Sequence, residues 1–216
     1  MTGIEIGTAI MSYIEPEPGY RRAFNEWYER DHFPAAVLAG PGVFSGARFV
    51  ATAACKAERP PGAALFGDPA RGTYLALAWL LPDKLAEWEA WVAHEMETIV
   101  AAGRMFPHRD HIQTGAYRFI AARGDIPAPM VLAHGFAGVV ATAGASDVPA
   151  PDAPAVVRLA LERTILSSCD APPHEVALAF CADPIAAVRS ADLAGAGFVS
   201  PFLATVPGTD TYTEEP

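Results

Sequence analysis

The sequence predicts an α+β protein built of two ferredoxin-like halves, the second degenerate, paired sheet to sheet. Three observations predict it. The first 124 residues read β-α-β-β-α-β, the ferredoxin-like order. A strand running into a Pro-started helix occurs twice, as Ala76-Leu-Ala-Trp79 before Pro82 and as Ala177-Leu-Ala-Phe180 before Asp183-Pro184. The middle of the first half is also apolar on both faces of a strand, so its sheet needs a second covering layer.

Ile4–Ile14 is β-rich and opens the chain as a strand, and Pro16-Glu-Pro18-Gly19 turns it. Tyr20–Phe33 follows as a helix. Phe24, Trp27, Tyr28 and His32 fall on one α-helical face, with Arg21, Arg22, Glu26, Glu29 and Arg30 opposite. Pro34 disfavours the helical conformation at Phe33 and places a break or kink there. Gly40-Pro41-Gly42 reverses the chain into a strand over Val43–Ala54, and Lys56–Arg71 is a long loop. Thr73–Leu81 is a near-continuous apolar run and reads as a central strand. Asp83 is placed to cap a helix whose buried stripe is Leu85, Trp88, Val92, Met96 and Ile99, and which Gly103 ends. Ile112–Ala122 is the fourth strand.

After a linker at Arg123–Pro129 the pattern repeats in shortened form. Met130–Thr142 and Val156–Leu166 read as strands, Ile185–Ala194 as a helix and Phe198–Val206 as the last strand. Ala143–Ala155, rich in Pro and Asp, stands where a first helix would be. The expected organisation is residues 1–124, residues 128–208 and a polar tail at 209–216. The face bearing Tyr74, Ala76 and Ala78 is assigned to meet the second half. Leaving several hundred Å2 of it wet would cost several kcal/mol at roughly 25 cal/mol per Å2.

Half the residues are apolar and 19% are charged, which supports a full hydrophobic core. A net charge of −10, with no Lys/Arg cluster, argues against nucleic acid and against an anionic membrane surface. Cys55, Cys169 and Cys181 have no disulfide or metal-type spacing and read as free thiols of a reducing compartment. With no signal peptide or membrane-spanning run, the expected location is cytoplasmic.

The stretch Asn25–Pro34, followed by Pro41–Phe49, carries Trp27, Tyr28, His32, Pro34, Pro41, Gly42 and Arg48. In these residues the chain resembles the dimeric α+β barrel superfamily, in particular its EthD-like members, with their W-(Y/F)-x-x-x-H-x-P helix end, P-G turn and Arg-containing strand. The resemblance is close over this stretch and topological over the rest of the first half. It implies a pocket between sheet and helices, with the helix-end His at its wall or mouth. The superfamily includes cofactor-free monooxygenases, isomerases, dehydratases, haem enzymes and members without known activity, so the resemblance selects no single chemistry.

His32 is the candidate catalytic residue. Its ordinary pKa suits general acid–base work, and the C-terminal end of a helix favours its protonated form. The competing structural reading is a cap on the last helical carbonyls. Arg48 either orients an anionic oxygen or makes an ion pair with Asp31 or Glu29. Trp27, Tyr28, Trp79 and Phe106 are expected in the wall, or else as core aromatics. His94 belongs on a solvated face, His134 in a strand as a core or pocket-lining residue, and His174 at the surface. His108 and His111, in P-H-R-D-H, have a third ligand nowhere in view and form a weak zinc signal.

The function expected is a cofactor-independent enzyme or enzyme-like binder of a small apolar or aromatic carbonyl-type molecule, of isomerase, lyase or monooxygenase type. It would be a monomer with an internal pseudo-dimer or a homodimer. The alternative is a non-catalytic accessory or assembly protein with the same fold.

Overall fold

A computed structural model describes residues 3–61, 65–144, 153–169, 172–191 and 196–213. The strands are β1 (Thr8–Pro16), β2 (Val43–Val50), β3 (Tyr74–Leu80), β4 (Arg109–Gly124), β5 (Gly138–Ala143), β6 (Ala155–Ser167), β7 (Glu175–Cys181) and β8 (Phe198–Ala204). The helices are α1 (Arg21–Trp27), α2 (Ala53–Ala57), α3 (Leu85–Ala101) and α4 (Pro184–Arg189). Two π-helical segments, Tyr28–His32 and Pro34–Leu38, extend α1, and a 3-10 turn covers Ala128–Ala133.

The eight strands close into one antiparallel barrel in the order β1-β3-β2-β8-β5-β7-β6-β4. This corrects the expected pair of ferredoxin-like sheets facing each other. Strand edges, with their rows of unpaired N–H and C=O groups, are satisfied by pairing. Here β4 and β6 pair from Gln113 with Ser167 to Gly124 with Ala155, and β2 meets β8 at Phe49–Ala204 and Val50–Leu203. The sheet therefore joins edge to edge instead of stacking face to face. An eight-stranded barrel has a lumen just wide enough for side chains to fill. Tyr13, Phe66, Trp79, Tyr117, Phe180 and Phe202 fill it.

The two faces of β3 are exchanged relative to expectation. Leu75, Leu77 and Trp79 point into the lumen, whereas Tyr74, Ala76 and Ala78 lie on the outer face under the helical layer. Both sets are fully apolar, so a two-residue period alone cannot say which faces the second half.

Local chemistry explains the remaining differences. β2 ends at Val50 because Thr52 caps α2, its hydroxyl accepting from the Cys55 N–H. Asp83 has φ +62 and does not cap α3, which starts after Lys84. Gly103 ends α3 as expected, with φ +66 and the Arg104 N–H bonded to the Ile99 carbonyl. The strand expected over Met130–Thr142 is split into the 3-10 turn and β5. Asp183 caps α4 through the Ala186 N–H. Of Ala143–Ala155, residues 145–152 lie outside the described residues, as do 62–64 of the long loop and 214–216 of the tail. All three cysteines are unbridged. Among the described residues no helix is long and apolar enough to cross a membrane.

Arg59, just beyond α2, is buried against the lumen aromatics, its guanidinium 4.4 Å from the Phe66 ring centroid. Its Nε donates to Ser200 Oγ at 2.8 Å and its Nη atoms donate to the carbonyls of Pro69, Arg71 and Gly72. Burial pushes its pKa down to about 10, so it stays charged at neutral pH. Arg59→Met leaves those acceptors without donors and is expected to lower stability by on the order of 2–4 kcal/mol, read as a lower urea midpoint with an unchanged m-value.

Candidate functional site

A proline inside an α-helix removes a hydrogen bond and clashes with the carbonyl four residues earlier. Here the helix does not stop at Pro34. It widens into π turns on both sides, with the Phe33 N–H bonded to the Tyr28 carbonyl and the Ala39 N–H to that of Pro34. Residues five apart lie about 140° apart round an α-helix. In the π turns they come together, and Trp27 stacks on His32 at 4.6 Å and Tyr28 on Phe33 at 5.8 Å. The widened segment beds closely on β2, where a Cβ on Gly46 would lie 2.4 Å from Leu38 Cδ2.

Between this segment, α3 and the outer face of the barrel lies a cavity of about 570 Å3. The π segments contribute Tyr28, His32 and Val37, and Phe33 joins them from the position between the two. Helix α3 contributes Trp88, Val92 and Met96, and the sheet contributes Ile10, Ser12, Ala76, Thr114 and Ile165. Arg109 and His111 enter from the start of β4. The volume falls inside the ~300–1,000 Å3 range of small-molecule sites, and the wall is mainly apolar with a few polar groups.

A register shift places the polar groups. In the β1–β4 ladder Tyr13 pairs with Gln113 but Ile14 pairs with His111, so Ile112 is an extra residue and packs into the core. Such a bulge reverses the alternation of side chains. As a result Arg109 and His111 share the outer face with Thr114, whose hydroxyl donates to Ser12 Oγ at 3.0 Å.

His32 is 7% exposed, and its Nδ1 is buried with no hydrogen-bond partner. Burial is the largest influence on its pKa, followed by the nearby Arg109 guanidinium, and together with His111 they push it down to about 4. His111 is likewise pushed down to about 4 by burial and then by Arg109. The expected stabilisation of protonated His32 by the helix end is overridden, because desolvation and an adjacent cation outweigh a terminal dipole. Both imidazoles are neutral at physiological pH and can accept a proton or a hydrogen bond.

Of the residues singled out from sequence, His32 and Tyr28 line the cavity. Trp27 stands one layer behind, stacked between His32 and Phe106, its Nε1 donating to the Arg104 carbonyl at 2.7 Å. Trp79 is in the lumen, on the other side of the sheet. Arg48 is 7% exposed and sits between the Tyr28 and Tyr74 rings, at 4.8 and 5.4 Å. It donates to Asn25 Oδ1 at 3.1 Å and faces Glu29 across 3.7 Å, tying β2 to the α1 layer away from the cavity wall. His108 stacks on Tyr20 and bonds Glu17, separately from His111 in the cavity. His134 is exposed rather than core and lines a second pocket beside Phe136 and Asp183, and His94 and His174 are exposed as expected. Among the described residues no group of three or more His, Cys, Asp or Glu side chains is arranged to hold a metal. Sequence reasoning missed Arg109 and weighed His111 only as a metal ligand. The signal that unites them is the bulge, which only strand pairing exposes.

No family model matches the sequence, and no curated protein matches it. Among solved structures the fold is similar to that of an anthrone oxidase-like protein. The two are 8% identical, with a TM-score of 0.51 over 94% of this chain and 92% of that one. This likeness supports the general barrel fold to which the sequence resemblance points, and stops short of EthD-like membership.

The neutral buried imidazoles make stability depend on pH. The folded pKa of His32, about 4, lies below its ordinary 6.5, so the unfolded chain binds more protons between those values. Stability is expected to be full above pH 6.5 and to fall as pH drops toward 4, with His32 contributing roughly 3 kcal/mol of the loss. Urea midpoints measured across that window check this, and His32→Gln should flatten the slope.

Proposed function

We propose that the protein is a cofactor-independent, EthD-like enzyme or enzyme-like binder that takes a small apolar or aromatic carbonyl compound into the cavity beside His32. The observation carrying this is a buried, neutral imidazole on the wall of an open, mainly apolar cavity. A neutral imidazole can take a proton, and an anion forming beside it would lift its pKa from about 4 toward the operating pH by offsetting the Arg109 charge. Removing a proton from the carbon beside a carbonyl transfers it to His32 and leaves the electron pair delocalised onto the carbonyl oxygen as an enolate. Return of the proton to another carbon would isomerise the substrate, and loss of a neighbouring group would make the reaction an elimination.

The stacked Trp27 and the tilted Tyr28 hold the His32 ring in place, and Ile10, Val92 and Met96 give the space beside it an apolar wall. An assembly role would suit a helix–sheet space filled by its own aromatics. The open volume supports ligand binding instead. The structural neighbour is described as an anthrone oxidase-like protein. At 8% identity that likeness carries the fold and leaves the ligand to the cavity's own residues.

The test is exchange of the α-protons of 2-tetralone for deuterium, followed by NMR. The protein is expected to accelerate exchange over buffer, and His32→Ala to lower that acceleration by about 10²–10⁴-fold. Acceleration that survives the substitution would remove His32 from the role of base.

A further inference from the structure

Arg109 is a cation on the cavity wall that forms no ion pair among the described residues. Its guanidinium lies 4.8 Å from the Trp27 ring centroid, and its Nε is buried with no hydrogen-bond partner. The acids around it are committed elsewhere. Asp31 pairs with Arg104, Asp110 with Arg71, Glu17 with His108, and Glu89, on the cavity wall, with Arg163 at 2.7 Å. Burial pushes the Arg109 pKa down, and the opposing influence is the Tyr28 phenol rather than a carboxylate. Because His32 and His111 are neutral and Glu89 is matched by Arg163, the cavity carries a net positive charge inside a chain of net charge −10. A buried cation gains most from an anion that also accepts its hydrogen bonds.

Resting on the ligand-binding reading above, we propose that Arg109 is the anion anchor of the cavity and that the ligand is a flat aromatic molecule bound through one anionic oxygen. The ring system packs against Trp88, Val92 and Met96, and the oxygen faces Arg109 with His32 and His111 beside it. Arg48, already bonded to Asn25 and flanked by two tyrosine rings off the cavity wall, is not the anchor. The same oxygen position would receive the charge that develops on a carbonyl when His32 removes a neighbouring proton. A carboxylate and a phenolate satisfy this chemistry equally, and the probes separate them.

The experiment measures binding of 2-naphthoate, 2-naphthol and naphthalene to the wild type, Arg109→Gln and Arg109→Lys near pH 7. In the wild type, naphthoate is expected to bind at least tenfold more tightly than naphthalene. Arg109→Gln should abolish that preference while keeping naphthalene binding, which also shows that the variant is folded, and Arg109→Lys should retain part of it. Bound 2-naphthol should show its naphtholate absorption band at a pH at least one unit lower than free naphthol, a tenfold shift in its ionisation, and lose this in Arg109→Gln. A naphthol shift without naphthoate preference assigns the site to weak aromatic acids, and the reverse assigns it to carboxylates. If naphthalene binds but neither oxygenated probe gains from Arg109, the anchor is overturned and the cavity stands. If no probe binds, the cavity reading falls with it.

Discussion

Closure of the sheet through the long β4–β6 pairing is the constraint on which the rest of the molecule depends. Once the edges are joined, the inner face of every strand looks into a lumen that eight strands leave only large enough for side chains. Tyr13, Trp79, Tyr117 and their neighbours occupy it, with Arg59 held among carbonyls and aromatics. Among the described residues a ligand therefore finds the lumen filled with side chains. The room available to it is outside, where the face bearing Ile10, Ser12, Ala76 and Thr114 passes beneath helices that do not cover it completely.

Two departures from regular geometry equip that space. Pro34 forces the helix to widen, and the widened turns bring His32 onto Trp27 while keeping it on the cavity wall. The extra residue at Ile112 reverses the alternation of β4 and turns Arg109 and His111 outward to meet it. π turns and bulges are irregularities that recur at functional sites, because they re-aim side chains that a regular element would send elsewhere. The same crowding suppresses protonation of both imidazoles, so burial and an adjacent guanidinium govern their chemistry more than the helix end does.

Much of the element order was legible from local pattern. The strand at Tyr74–Leu80, the helix ended by Gly103 and the capped start of α4 follow from apolar runs and end signals that act within a few residues. Failures occurred where a local signal met a tertiary demand. Asp83 resembles a cap but takes a left-handed turn ahead of Lys84. Trp79 resembles a wall residue but lies on the lumen side, since both faces of β3 are apolar. Arg48, by contrast, was read as either an anion anchor or an ion pair with Asp31 or Glu29, and the pair with Glu29 is present at 3.7 Å, between two tyrosine rings on the outer face.

The sequence by itself determined where apolar and polar runs alternate, where the long helix ends at Gly103, and that the aromatic-rich helix carrying His32 and Pro34 is the chemically distinctive stretch. These follow from interactions between residues near one another along the chain. Tertiary structure alone decided that the sheet closes on itself, which face of β3 meets the helices, and that Arg109 and His111 join His32 around one cavity. Those outcomes depend on which strand edges pair and in what register, and hydrogen bonds between strands distant in sequence leave no periodic trace in either strand.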